Sequence, residues 1–209
     1  MEQTIQVELT DVAKYYGMRR LFEHISINLK SGEHLAVTGP NGSGKSTLLK
    51  IIAGLVRPSA GTVQLWANSN RKIGQSDRSR FIGLISPEIV FYSSLTAYEN
   101  IRLMTRAAGM NVPPEDIKSC LQTIGLLDRF HDLVANYSTG MHQRLKFALL
   151  LALQPPLWLL DEPSSNLDAA GKQLIADLIQ QALASQTAII MATNEAEEAN
   201  YAQKKISLA

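Results

Sequence analysis

One cysteine, few aromatics, no surplus of charge and no long apolar run are what this chain of 209 residues withholds. A lone thiol, Cys120, forms neither an internal disulfide nor a thiolate metal cluster, and its neighbours Leu121 and Ile124 put it on a packed helical face. Twenty Lys and Arg against nineteen Asp and Glu leave a formal charge of +1, so the global field selects neither nucleic acid nor an anionic membrane. Any such partner must be recognised locally. The longest apolar run, Phe147 to Leu153, falls far short of the ~20 residues that cross a bilayer, and Gln154, Pro155 and Pro156 end it. Met1 to Leu9 mixes polar and apolar residues and carries acids where a secretory leader needs bases, so the chain is expected to stay in the cytosol. Hydrophobic residues at 45% and charged residues at 19% are ordinary for a folded protein with one core and a modest subdomain.

The hydrophobic period changes along the chain. Ile5, Val7 and Leu9 alternate, as do Ile25, Ile27 and Leu29, which predicts half-buried strands joined by a turn around Gly17. The apolar run His34 to Thr38 then leads into a glycine-rich loop and into Leu48, Leu49, Ile51, Ile52 and Leu55 at helical spacing. Gly54 and Pro58 close that helix, and a strand is expected over Thr62 to Trp66. Ala67 to Arg80, with Arg71, Lys72, Arg78 and Arg80 among polar residues, reads as a solvated loop rather than an anion site. After a short strand, Phe81 to Ile85, Thr96 and Glu99 form a capping box, and helices run to about Leu153. The last third alternates strand Leu157 to Leu160, helix Ala169 to Leu183, strand Ala188 to Thr193, a short acidic helix and strand Lys205 to Leu208. Such alternation predicts an α/β fold: a mostly parallel sheet, an N-terminal antiparallel β-subdomain and an inserted helical subdomain at roughly 87–153 of a single domain, 1–209.

Two motifs carry chemistry. Gly39, Pro40, Asn41, Gly42, Ser43, Gly44, Lys45, Ser46 and Thr47 fit G-x-x-x-x-G-K-[ST] between a predicted strand and a predicted helix. Glycines let the backbone curl so that N–H groups point at phosphate oxygens, and the helix N-terminus adds a favourable dipole. Lys45 would reach the β- and γ-phosphates, and Ser46 would offer a hydroxyl to Mg²⁺. The apolar strand before Asp161 and Glu162 delivers both acids at its carboxyl end, where ligands bind in open α/β sheets. Asp161 suits Mg²⁺, usually through water, and Glu162 suits an attacking water.

With these residues in place the chain resembles the nucleotide-binding subunits of ATP-binding cassette (ABC) transporters, from Ile5 to Leu208. Tyr137-Ser138-Thr139-Gly140-Met141-His142-Gln143-Arg144 looks like the family's signature segment, and Ser138 stands where it would cap the next helix. The resemblance implies a head-to-tail dimer with two ATP molecules at its interface, Ser138, Thr139 and Gly140 touching the ATP of the partner. Ser165-Asn166-Leu167-Asp168 resembles the D-loop, with Asp168 also fitted to cap a helix. Tyr16 matches the adenine-stacking aromatic, Tyr15 being the alternative. The resemblance further implies MgATP as ligand, integral membrane transporter subunits as partners, no nucleic acid, and a peripheral place on the cytoplasmic face of the membrane. The dimer would join identical chains or a second ABC subunit.

Two positions depart from the pattern. Asn194 stands where the family has a histidine that hydrogen-bonds the γ-phosphate, and slow hydrolysis is expected, since an amide donates a hydrogen bond but carries no proton. Around Ser86-Pro87-Glu88 the family places a metal-contacting glutamine; ungapped alignment gives Pro87, and a one-residue shift gives Glu88. The coupling surface to the membrane subunits is expected on the helical insertion near Phe91, Tyr92 and Tyr98. The Leu95 to Asn100 stretch and the Lys205 to Leu208 ending resemble small exporter subunits such as the haem-exporter ATPase of cytochrome c maturation. Two other readings remain: a soluble ATP-gated switch on the same fold, and a small P-loop kinase whose lid would be the Arg71 to Arg80 loop.

Overall fold

The computed structural model describes residues 4–68 and 70–208, which divide into two compact units. The first comprises residues 1–84, 155–162 and 179–209, and the second residues 85–154 and 163–178. No helix among the described residues is long and apolar enough to cross a membrane.

The first unit is built on two sheets. β1 (Ile5–Tyr16) pairs antiparallel with β2 (Arg19–Lys30) and with β4 (Ala60–Ala67), and the short β5 (Arg71–Lys72) completes the order β2-β1-β4-β5. Val7 and Leu9 of β1 stand opposite Leu65 and Val63 of β4, so the alternating residues face one way into a common core. The second sheet has the order β6-β7-β8-β3-β9, from β6 (Ile82–Ile85), β7 (Leu157–Asp161), β8 (Ala188–Ala192), β3 (His34–Thr38) and β9 (Lys204–Ser207). Its pairs β7·β8, β8·β3 and β3·β9 are parallel, and β7 and β8 are buried along their whole length. That double burial explains their unbroken apolar sequences. Helix α1 (Lys45–Ala53) follows β3 and buries Leu48, Leu49, Ile51 and Ile52.

The stretch from Ala67 to Arg80 departs from the expected solvated loop. It forms β5 and a 3₁₀ segment, Gln75–Arg80, and Arg78 is buried at 8% exposure. Its guanidinium finds the carbonyls at the end of α1, a set of acceptors no sequence period reveals.

The second unit is helical: α2 (Ala97–Ala107), α3 (Pro114–Thr123), α4 (Thr139–Leu153) and the first part of α5 (Ala169–Ala184). Thr96 caps α2 in the expected box, its Oγ1 accepting from Glu99 N–H at 3.2 Å while Glu99 Oε2 accepts from Thr96 N–H at 2.8 Å. α6 (Ala196–Asn200), in the first unit, is the short acidic helix.

Candidate functional site

The site in the first unit forms where β3 runs into α1. Gly42 and Gly44 adopt left-handed φ values of +80° and +102°. At Gly44 a Cβ would lie 2.7 Å from Leu21 Cγ, so close packing also demands glycine, whereas at Gly42 a Cβ would meet nothing within 4 Å. The loop is therefore tight underneath and open above Gly42. No side chain caps α1 among the described residues, although α2 and α4 are both capped by hydroxyls. The first-turn N–H groups of α1 are thus left for another acceptor. Ser43 Oγ is buried with no hydrogen-bond partner among the described residues.

Lys45 stands at the centre, itself buried. Its ammonium donates to Gly39 O at 2.9 Å, to Pro40 O at 3.3 Å and to Asn194 Oδ1 at 2.6 Å, and lies 3.9 Å from Glu162 Oε1. Asn194 Nδ2 in turn donates to Asn41 Oδ1 at 2.6 Å. The two acids reach this place because β7 ends beside β8: Asp161 pairs with Ala192, and Glu162 N–H donates to Ala192 O at 2.9 Å. Asp161 is buried, and Glu162, half-buried with φ +49°, leaves the strand direction at the edge of the loop. Burial pushes the Glu162 carboxyl above its ordinary value, opposed by the backbone of Asn194 and by the Lys45 charge.

A cleft of about 540 Å³ opens over this arrangement, with Tyr16, Arg19, Leu21, Gly42, Lys45 and Glu162 among its walls. Tyr16 is 54% exposed there, while the hydroxyl of Tyr15 is committed to Glu23 Oε2 at 2.9 Å. Tyr16, not Tyr15, lines the cleft, and the Lys14 ammonium lies 4.8 Å from the Tyr16 ring centroid. Arg19 and Leu21 were not singled out by the sequence; their only signal is their position just past the hairpin turn that carries Tyr16.

These residues fit a magnesium nucleotide. A curled loop of N–H donors, an uncapped helix N-terminus and one buried ammonium suit an anionic polyphosphate. No group of three or more His, Cys, Asp or Glu that would cage a metal occurs among the described residues. Mg²⁺ takes one or two protein oxygens and fills its shell with phosphate and water. Ser46 and Asp161 are the oxygens that would hold it.

The second unit carries the other predicted residues. Ser138 caps α4, its Oγ accepting from Met141 N–H at 3.2 Å. A Cβ on Gly140 would come within 3.2 Å of Asn166 O, so the start of α4 and the Ser165 to Asp168 segment abut. Asp168 Oδ1 caps α5 by accepting from Gly171 N–H at 2.8 Å. Gln143, within the signature segment but given no separate task there, donates from a buried position to Pro163 O at 2.7 Å and ties α4 to the turn before Ser165. Glu88 is exposed in a turn closed by Ile89 N–H to Ser86 O at 3.2 Å. Of the three aromatics near which the coupling surface is expected, Tyr92 is exposed, Tyr98 packs against Phe130 with ring centroids 5.0 Å apart and planes tilted by 45°, and Phe91 is buried.

The chain has many relatives of known type. The family model described as ABC transporter matches residues 22–165. The cytochrome c biogenesis ATP-binding export protein CcmA of Pseudomonas aeruginosa is 36% identical over 175 residues, 84% of this chain and 86% of that one. The sulfate/thiosulfate import ATP-binding protein CysA of Mesostigma viride is 36% identical over 167 residues, 79% of this chain but 47% of its own length. The bacitracin transport ATP-binding protein BcrA of Bacillus licheniformis is 34% identical over 83% of this chain and 56% of its own. The chain thus spans about half the length of the latter two relatives. Among solved structures, a dimeric post-hydrolysis state of the ATP-binding cassette MJ0796 bound to ADP and Pi superposes with a TM-score of 0.84 at 27% identity, covering 97% of this chain and 94% of that one.

Proposed function

Because this chain belongs to the ABC transporter family, we propose that it is an ATP-binding and ATP-hydrolysing subunit that dimerises around MgATP and drives transport through separate membrane subunits. The observation that carries the proposal is the convergence on Lys45 of the phosphate loop, the acid after β7 and the amide after β8.

Each residue then has a task. Tyr16 stacks the adenine, and the N–H groups of Gly39 to Thr47 wrap the phosphates. Lys45 shifts its donors from Gly39 O, Pro40 O and Asn194 Oδ1 to the β- and γ-phosphate oxygens. Ser46 and Asp161 would hold Mg²⁺, and the ion would neutralise charge on the phosphates. Glu162 takes a proton from the attacking water, and Asn194 donates from its amide toward the γ-phosphate. Ser138, Thr139, Gly140 and Asp168 reach the nucleotide of the partner subunit in a head-to-tail dimer, where the N-terminus of α4 favours phosphate. Free energy enters because the closed dimer binds ATP more tightly than the open one.

The membrane subunits would place it on the cytoplasmic face of the membrane and would meet the helical unit at Tyr92 and neighbouring exposed Val90. Phe91, being buried, is excluded from that contact surface. The kinase reading keeps only Arg71, Lys72 and Arg80 for a lid, because Arg78 of that stretch is buried against α1.

The test is phosphate release from MgATP by the purified chain over a range of protein concentrations, beside Glu162→Gln. A rate rising more steeply than concentration, abolished in the variant while ATP is still bound, supports a dimeric hydrolase. Phosphate transfer to a nucleoside monophosphate instead of water would overturn the reading in favour of a kinase.

A further inference from the structure

Four basic residues lie between Arg71 and Arg80, and only Arg78 is buried. Its Nη1 donates to Ile51 O at 3.3 Å and Ile52 O at 2.9 Å, the carbonyls that end α1, and its Nη2 donates to Val63 O of β4 at 2.9 Å. Gln75, one turn earlier, donates from Nε2 to Gly54 O at 2.9 Å. The 3₁₀ segment therefore clamps the C-terminal end of the same nine-residue helix whose N-terminal end carries Lys45, Ser46 and Thr47. Through Val63 the clamp also grips the antiparallel sheet, where β4 pairs with β1, the strand ending at Tyr16.

We infer that Arg78 is a positioning residue for the nucleotide site, holding α1 with its phosphate loop in register with the sheet that presents Tyr16. The inference rests on the nucleotide-binding reading above. One guanidinium bonded to both elements fixes the distance between the phosphate wall and the aromatic wall of the cleft. A cation at the C-terminal end of α1 also complements the helix dipole whose positive end meets the phosphates.

Arg78 is poorly explained as a device for stability alone. Its three hydrogen bonds all go to carbonyl oxygens, and its Nε–H is buried with no partner among the described residues. Burying a cation on such terms is costly, which offsets what its hydrogen bonds contribute to stability. What an apolar side chain of similar length lacks is the directional tie between helix and sheet.

The experiment compares MgADP affinity, by calorimetry on the purified chain, in the wild type, Arg78→Met and Arg78→Lys. Leu29→Ala, a core truncation in β2, is the control, and every protein is held well below its own Tm. Arg78→Met should weaken MgADP binding about tenfold and Arg78→Lys about threefold, because small misplacements of binding groups are expensive. Leu29→Ala should lower Tm and leave affinity unchanged. Wild-type affinity in folded Arg78→Met, or equal losses in Leu29→Ala, overturns the inference and leaves the nucleotide reading intact. Failure of the wild type to bind MgADP overturns both. Should Arg78→Met not fold, Arg78→Lys decides: weakened binding supports the positioning role, and unchanged binding overturns it.

Discussion

Asn194 Oδ1 accepts a 2.6 Å hydrogen bond from Lys45 Nζ across 149 positions of chain, while its Nδ2 donates to Asn41 at the same distance. The amide thus occupies the place between β8 and the phosphate loop from which a side chain can reach the terminal phosphate. It holds Lys45 without any group that titrates near neutral pH.

Asn194→His is expected to raise the rate of phosphate release by about 10²- to 10³-fold, the usual worth of one well-aimed donor to developing charge. The substitution should also add a pH limb near 6.5 that the wild type lacks. Rates of both proteins between pH 5.5 and 8, at saturating MgATP, check this. An unchanged rate would show that the amide already supplies all that the position gives.

Gly42 and Gly44 should fail differently. Gly42→Ala has room for its methyl and meets only the left-handed backbone penalty of about 1–2 kcal/mol, so the fold should survive while the methyl intrudes where phosphate approaches. Gly44→Ala adds a 2.7 Å collision with Leu21 and should lower Tm more. Thermal melts paired with nucleotide binding separate the two, and equal melting with equal affinity would contradict the geometry.

Ser138 combines a cap with a contact to the partner's nucleotide. Ser138→Ala should cost about 1 kcal/mol of stability through the lost bond to Met141 N–H, and should also slow hydrolysis. Ser138→Asp keeps a capping oxygen but brings negative charge toward phosphate. Its melting temperature should stay near that of the wild type while ATP-dependent dimerisation, followed by light scattering with Glu162→Gln in the background, is lost.

His34 lies wholly buried in β3, neither ring nitrogen has a hydrogen-bond partner among the described residues, and burial pulls its pKa down to about 4. Below pH 6.5 the unfolded chain takes up a proton that the folded chain refuses until about pH 4. Stability should therefore fall as pH drops through that window, by roughly 3 kcal/mol in all. His34→Leu should flatten the acid side of a plot of Tm against pH. A wild-type Tm that is level from pH 6.5 to 4.5 would refute the assignment.

The phosphate loop, the acids after β7 and the caps at Thr96, Ser138 and Asp168 could all be read from spacing alone, because each depends on residues within a turn or two of one another. The same holds for the strands: alternation in β1 and β2 and unbroken apolar runs in β7 and β8 state how many faces are covered. Arg78 was misread for the converse reason. Its acceptors at Ile51, Ile52 and Val63 lie 15 to 27 residues away and have no signature of their own, so a basic residue among polar neighbours looked solvated.

By itself the sequence determined which local devices exist: a loop that can wrap phosphate, strands that end in acids, and helices with prepared N-termini. Only the tertiary structure decided what those devices face. Placing β3 between β8 and β9 sets Asn194 on Lys45, buries His34, and carries α1 to the clamp at Arg78. Backbone period and capping are short-range properties, while strand order and the burial of a lone polar side chain follow from how the whole core closes.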